Sequence, residues 1–240
     1  MVTSAVRSYV GRALETTGYE DLHALLKDFS DEMRLGHAAY VGCSLARPND
    51  DPVNLSTYPR EFTELYHTRN LAEIDPVHQD TKDLLLPYVW NDRQDFDPCA
   101  SEFFRLASDF DARSQGVAVP VRGPRGDKGL ISIVARADDS GWETRREELL
   151  SELVFFSQSF HAAIVQTARS ISTPEVRLAP RERDVLTWAG RGKTAWETAC
   201  ILGLAETTVI SYIRQACRKL DVASKYEAVA VCTAMNLIRI

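Results

Sequence analysis

The stretch TAWETACILGLAETTVISYIRQACRKL, residues 194–220, decides how the C-terminal third of the chain folds. Thr194-Ala-Trp-Glu197 reads as a capping box, in which the threonine and the glutamate each satisfy a backbone N–H at a helix start. That helix runs to Leu202. Gly203 permits a tight turn, and Glu206 opens the next helix with its charge set favourably against the helix dipole. Along this second helix Val209, Ile213, Ala216 and Leu220 recur at i, i+4, i+7 and i+11 and form an inward stripe. Thr207, Ser211, Arg214 and Arg218 repeat with the same spacing on another face, which is polar and basic. A helix packed on one side, with hydroxyls and guanidinium groups on the other, suits the major groove of DNA. An amphipathic surface helix with a solvated face is the commoner arrangement in general. Two helices about a tight turn, in a locally basic segment, favour DNA binding here.

Charge supports this division of labour. The 240 residues carry a net charge of -6, yet from Val176 onward there are ten Lys and Arg against six Asp and Glu, leaving 18 against 28 upstream. A small basic domain behind an acidic large one points to the tail as the part that meets a polyanion. Pro180 sits at the first turn of a helix that precedes the quoted pair, and a last helix is expected over Glu227 to Ile238. Ser170-Ile-Ser-Thr-Pro174-Glu is short, polar and proline-containing. It divides the chain into residues 1–169, a linker at 170–176, and a DNA-binding domain at 177–240. The five cysteines are odd in number and have no CxxC pair, which argues against a disulfide framework and a zinc site. No apolar run is long enough to span a membrane, and the N-terminus has no export signal, so the cytoplasm is the expected location.

Upstream of the linker, Leu22, Leu25, Leu26, Phe29 and Met33 share one helical face within Asp21–Leu35, a helix ended by Gly36. His37 to Leu45 reads as a buried strand. Gly116–Val121 alternates, and after the turn formers RGPRGDKG a second strand follows at Leu130–Ala137, making an antiparallel hairpin. A long helix is expected from Trp142 to Ala168, with Leu149, Leu153, Phe156, Phe160 and Ile164 inward. The fold class is therefore α+β: an N-terminal α/β/α sandwich around an antiparallel sheet, and an all-α helix–turn–helix domain behind it. Within YHTRNLAEIDPVH, residues 66–78, Asp75 before Pro76 is ordinary turn chemistry when taken alone. Acidic pairs that could serve a phosphorylated receiver, Asp50-Asp51 and Asp138-Asp139, lie in turn-like polar contexts.

The C-terminal residues 178–229 resemble the GerE-type DNA-binding domain of LuxR-family regulators. Glu182, Leu186 and Gly192 match signature positions, and Thr208-Val209 matches the start of the recognition helix. Ala179 and Ala205 stand where the family usually has Ser or Thr caps, and Ile210 stands where relatives often have Lys. The stretch YPREFTELYHTRNLAEIDPVH, with Trp90 and Gly116, resembles the acyl-homoserine-lactone-binding domain of quorum-sensing LuxR regulators. Tyr66, Asp75, Pro76, Trp90 and Gly116 fall on its signature positions.

The resemblance implies a buried N-acyl or aryl homoserine lactone and no cofactor. Asp75 would accept the ligand amide N–H, with the hydroxyls of Tyr66 and Tyr58 close by. Ser132 would meet the amide carbonyl, Trp90 would cover the lactone ring, and Val77 and Tyr40 would shape the tail pocket. Phe62 replaces a tryptophan whose indole donates to the lactone carbonyl in the family, so either that polar contact or the head group is altered. On the DNA side, Thr207, Thr208, Ser211 and Arg214 are candidates for base edges, beside Ile210. Lys193, Arg218 and Lys219 are candidates for phosphates. A homodimer on palindromic promoter DNA, joined through the long helix and the last one, with RNA polymerase as a further partner, completes the expectation. Two other readings stay open. One is an enzyme using Asp75 with His67 or His78 as acid and base. The other is a regulator of the same kind with a non-lactone ligand or none.

Overall fold

A computed structural model describes residues 2–45, 51–81, 84–91, 98–110, 115–124, 126–136, 138–171 and 177–240. The chain divides into two compact units, with the main cut between Ala168 and Arg169.

The N-terminal unit opens with two helices, α1 (Val2–Glu15) and α2 (Tyr19–Glu32). Val6, Tyr9, Val10 and Ala13 are buried at helical spacing on α1, and Leu22, Leu25, Leu26 and Phe29 are buried on α2. α2 ends earlier than the sequence suggests. Met33 caps it and Arg34 adopts φ +50°, so Arg34, not Gly36, takes the left-handed step that turns the chain into the sheet.

Five antiparallel strands follow: β1 (Ala38–Cys43), β2 (Val53–Ser56), β3 (Tyr88–Trp90), β4 (Gly116–Arg122) and β5 (Lys128–Val134). Their order across the sheet is β2-β1-β5-β4-β3. β4 and β5 form the expected hairpin, with Ala118 opposite Ser132. The proposed end of β5, Ala137, lies outside the described residues, as does Asp50. Pro120 has no N–H to give to a ladder. It falls past the last residue of β4 that pairs with β3, where β5 is its only partner strand in the register.

The pleat sends alternate residues to opposite faces. Tyr40 lies opposite Ile131, and these face the long helix α6 (Trp142–Ile171), where the Tyr40 and Phe160 rings meet edge to face. Phe156 of α6 stacks flat on Phe29 at 3.7 Å, joining α6 to α2. α6 runs three residues beyond Ala168, so Ser170 and Ile171 belong to it and not to a linker; residues 172–176 lie outside the described residues. The other face carries Ser132, Ala118, Trp90 and Val134. It is covered by α3 (Arg60–Thr68), a 3-10 turn (Leu71–Glu73), α4 (Pro76–Asp80) and α5 (Pro98–Ser108), packed through Phe62, Leu71, Val77, Phe103, Phe104 and Ala107. This is the three-layer arrangement read from the sequence.

The C-terminal unit is helical: α7 (Pro180–Gly190), α8 (Ala195–Leu202), α9 (Glu206–Leu220) and α10 (Lys225–Ala234). Gly203 caps α8 at φ +65°, a conformation that costs glycine nothing. The inward stripe of α9 divides between two small cores. Val209 packs with Val185 and Ala199, and Ala216 packs with Leu186, Ala228 and Cys232. α10 starts two residues before the expected Glu227, because Ser224 and Glu227 form a second capping box. It stops at Ala234, and buried Ile238 belongs to the tail after it.

Candidate ligand pocket and DNA-binding face

Between the sheet and the α3–α5 layer lies a cleft lined by Tyr58, Asp75, Val77, Trp90, Phe103, Phe104, Ala107, Ser132 and Val134. It holds about 340 Å³ of empty space, counting the part open to solvent. Its wall is mostly aromatic and aliphatic with a few convergent polar groups, the composition of a small-molecule site.

Local chain geometry delivers Asp75 to this wall. Asn70 takes φ +50° and ends α3, the 3-10 turn reverses the chain, and the N–H of Asp75 donates to Leu71 O at 2.8 Å. Asp75 then caps α4. Its Oδ1 accepts from the N–H of Val77 at 2.9 Å and of His78 at 3.3 Å, with Pro76 at the first helical position. Its Oδ2 accepts from Tyr66 Oη at 2.9 Å. A carboxylate offers about four acceptor positions, so three are filled and one on Oδ2 remains. Burial pushes the Asp75 carboxyl above its ordinary value, and the bonds from Tyr66, His78 and Val77 work against that rise. Burial and the nearby Asp75 charge raise the Tyr66 and Tyr58 hydroxyls as well, so both remain protonated donors.

Each expected ligand residue can now be placed. Tyr58, Asp75, Val77, Trp90 and Ser132 come together on the cleft wall. Tyr66 and Phe62 stand one layer behind. Tyr66 acts through its bond to Asp75, and Phe62 packs against Tyr58 and Phe110 at 4.9 and 5.3 Å. Tyr40 is a correction: it points to the opposite face of the sheet, where its hydroxyl bonds His161 Nδ1 at 2.8 Å. Tyr40 and Ser132 lie one register step apart, and the period of two puts them on different sides. Phe103, Phe104 and Ala107 were not anticipated, although with Ala100 they repeat at helical spacing on α5.

On α9, Thr207, Ser211, Arg214 and Arg218 are exposed and Thr208 is half-buried. Ile210 turns toward a groove that it shares with Ile213, Ala195, Thr198, Lys193 and Arg214. Lys193 pairs with Glu197 at 3.0 Å in an exposed bridge, which leaves it available to another anion. Lys219 has a structural partner as well. Its Nζ bonds Glu182 Oε2 at 2.8 Å and Arg177 O at 3.3 Å, and the Glu182 side chain is only 2% exposed. That carboxylate also accepts from the N–H of Ala179 at 2.7 Å, so Lys219 neutralises a buried helix cap while its own side chain stays 42% exposed. Ala205 gives α9 no side-chain cap, as its sequence position implies.

Residues 19–164 match the family profile described as the autoinducer binding domain, and residues 176–232 match that of bacterial regulatory proteins of the luxR family. The chain belongs to the LuxR family. It is a LuxR-type quorum-sensing transcriptional regulator with an autoinducer-binding domain and a helix–turn–helix DNA-binding domain. The chain is 31% identical over 215 residues to the HTH-type quorum sensing-dependent transcriptional regulator RpaR of Rhodopseudomonas palustris, covering 85% of this chain and 84% of that protein. It is also 31% identical over 188 residues to the transcriptional activator protein RaiR of Rhizobium etli, covering 77% of each. Its fold superposes on Escherichia coli SdiA with a TM-score of 0.77 over 99% of both chains at 21% identity. A second SdiA structure, in complex with octanoyl-rac-glycerol, gives 0.78 over 99% of this chain and 96% of that one, also at 21% identity.

LuxR-family relatives are transcriptional regulators, not enzymes. His78 meets the Asp75 carboxylate through its backbone N–H. Asp139, considered above as half of a phospho-acceptor pair, is occupied by an ion pair with Arg145. No helix among the described residues is long and apolar enough to cross a membrane.

Proposed function

We propose that this LuxR-family regulator binds an N-acyl or aryl homoserine lactone in the α3–α5 cleft. We further propose that residues 1–169 sense the ligand and pair with a second copy, and that residues 177–240 bind palindromic promoter DNA as a dimer in the cytoplasm. The observation that carries the reading is the Asp75 carboxylate, held by three donors with one acceptor position left at the wall of an aromatic cleft. A neutral amphipathic ligand with a single amide N–H fits that vacancy, and a carboxylate is the strongest acceptor it could meet. The hydroxyls of Tyr58 and Ser132 suit its amide carbonyl, and the rings of Phe103 and Phe104 suit its acyl or aryl group. Exposed Val154 and Phe155 on α6 support pairing through that helix. Exposed Thr207, Ser211 and Arg214 support base contacts by α9, with Arg218 and Lys193 on phosphates and RNA polymerase recruited beside the promoter.

The test is thermal unfolding of the purified chain with a panel of aliphatic and aryl homoserine lactones, for wild type and Asp75→Asn. One lactone should raise the midpoint in a concentration-dependent way, and the variant should lose that rise. A stable dimeric protein that answers to no lactone would sink the proposal. Phe62 favours a second reading, because it offers no donor to a head group. A ligand without a lactone ring, or control without ligand, would then leave the DNA-binding role standing.

A further inference from the structure

One residue of the cleft wall carries a polar atom that the proposed site leaves unused. Trp90 is 1% exposed, and its Nε1–H is buried without a hydrogen-bond partner among the described residues. Among the described residues, Trp142 and Ser157 carry buried side-chain atoms in the same condition, and neither lines the cleft. An orphaned buried donor costs on the order of 1–3 kcal/mol, which an acceptor brought by a ligand would offset.

The surroundings of the indole look built for its position. β3 pairs with β4 so that Trp90 lies opposite Gly116. A Cβ at Gly116 would meet the backbone oxygen of Ile133 and the indole Cζ2 at 2.3 Å each and Cη2 at 2.6 Å, so strand and ring together leave room only for glycine. Tyr88 stacks beside it with ring centroids 6.3 Å apart. Phe62, across the same cluster, has no polar atom to offer.

We infer that Trp90 is the hydrogen-bond donor to the ring carbonyl of the ligand, and so sets the preference for a lactone head group. The inference rests on the homoserine-lactone reading given above. Such a ligand carries one N–H donor and two carbonyl acceptors. Asp75 can only accept, and therefore takes the N–H. Tyr58 and Ser132 carry hydroxyls that satisfy the acyl carbonyl, for neither hydroxyl has a hydrogen bond among the described residues. The ring carbonyl is the acceptor left over, and the indole N–H is the donor left over. With both matched, every strong polar group of the ligand and of the cleft has a partner.

Matched ligands separate this role from simple packing. Each of N-butanoyl, N-octanoyl and N-phenylacetyl homoserine lactone is compared with the N-acyl cyclopentylamine that has the same tail but lacks the ring oxygen and carbonyl. Dissociation constants are measured for wild type, Trp90→Phe and the double variant Trp90→Phe/Phe62→Trp. Wild type should prefer the lactone about three- to tenfold, the range of one neutral hydrogen bond. Trp90→Phe should abolish that ratio, while its affinity for the cyclopentylamine changes far less. The double variant should recover part of the preference, since an indole donor returns to the same cluster. If Trp90→Phe weakens both ligands equally, the indole only packs and the inference is overturned. If wild type binds neither ligand, the lactone reading itself has failed. Should Trp90→Phe not fold, the intact protein still decides: one indole N–H resonance among its four tryptophans should shift downfield with the lactone and stay in place with the cyclopentylamine. No differential shift overturns the inference.

Discussion

In the proposed site Asp75 ties backbone capping to ligand recognition in one side chain. Its Oδ1 holds the start of α4 while its Oδ2 is steered by Tyr66, so the carboxylate enters the cleft already oriented. A pH dependence follows from its raised pKa. The ordinary value is 3.8, and burial lifts it in the folded chain. The free folded protein therefore holds its proton to higher pH than the unfolded chain, and its stability falls as pH rises from about 3.8 through the raised value. Only the ionised carboxylate is a pure acceptor for the ligand N–H, so ligand binding favours that form. The ligand-induced rise in melting temperature should thus grow across this window and level off above it. Asp75→Asn should remove both dependences, as melting curves taken from about pH 4 to pH 8 with and without lactone would show. Asp75 and Trp90 on the cleft wall, and Tyr66 bonded to Asp75, are legible through the family resemblance, whose signature positions they match. The sequence misplaces Tyr40, because nothing in an apolar strand says which parity faces the ligand layer.

At the scale of the element, capping and charge separate stability from DNA affinity in the C-terminal helices. α8 and α10 each begin with a complete capping box, Thr194 with Glu197 and Ser224 with Glu227, whereas α9 begins on Ala205 without a side-chain cap. Ala205→Ser should stabilise α9 by about 0.5–1 kcal/mol. Slower amide exchange in its first turn would report the gain. The basic residues of α9 should sort into three behaviours. Arg214→Ala should cost about 1–3 kcal/mol on a selected operator and relax its sequence preference. Arg218→Ala should weaken all DNA alike and reduce the salt slope by about one. Lys219→Ala should instead destabilise the unit by about 1–3 kcal/mol, because Glu182 then keeps a buried charge short of one partner. Fluorescence anisotropy against salt, set beside melting curves, distinguishes the three; a Lys219 variant of normal stability and weakened DNA binding would contradict the assignment. The helix–turn–helix is legible from its capping box, glycine and apolar stripe, all local signals. The salt bridge of Lys219 is not, since its partner lies 37 positions away.

At the scale of the whole molecule, ligand and DNA act on units with separate cores, one between sheet and helices and the other among α7–α10. A ligand that binds only the folded N-terminal unit stabilises it by mass action, about 2.7 kcal/mol at one hundred times its Kd. Lactone should accordingly raise the melting temperature of the N-terminal unit in proportion to the logarithm of its concentration. Exchange protection in α7–α10 should stay unchanged, and sedimentation should report the dimer. The layered class and the cut into two units are legible from the hairpin, the long α6 and the change in composition after it. The short strands β2 and β3 are not legible, because three or four residues carry too little alternation to stand out. α1 is harder to read, since serine and glycine interrupt the apolar spacing of Val6, Tyr9, Val10 and Ala13.

The close approach of Gly116 to the Trp90 ring also bears on how such a site can change over time. Neither position can be altered freely while the other stays as it is: a side chain at Gly116 evicts the indole, and a smaller residue at Trp90 leaves a void against the glycine. A lineage or a mutant library exploring new signals would therefore find these two positions epistatically locked, whereas α5, with no such interlock to that ring in its own register, leaves Phe103, Phe104 and Ala107 open to drift one step at a time.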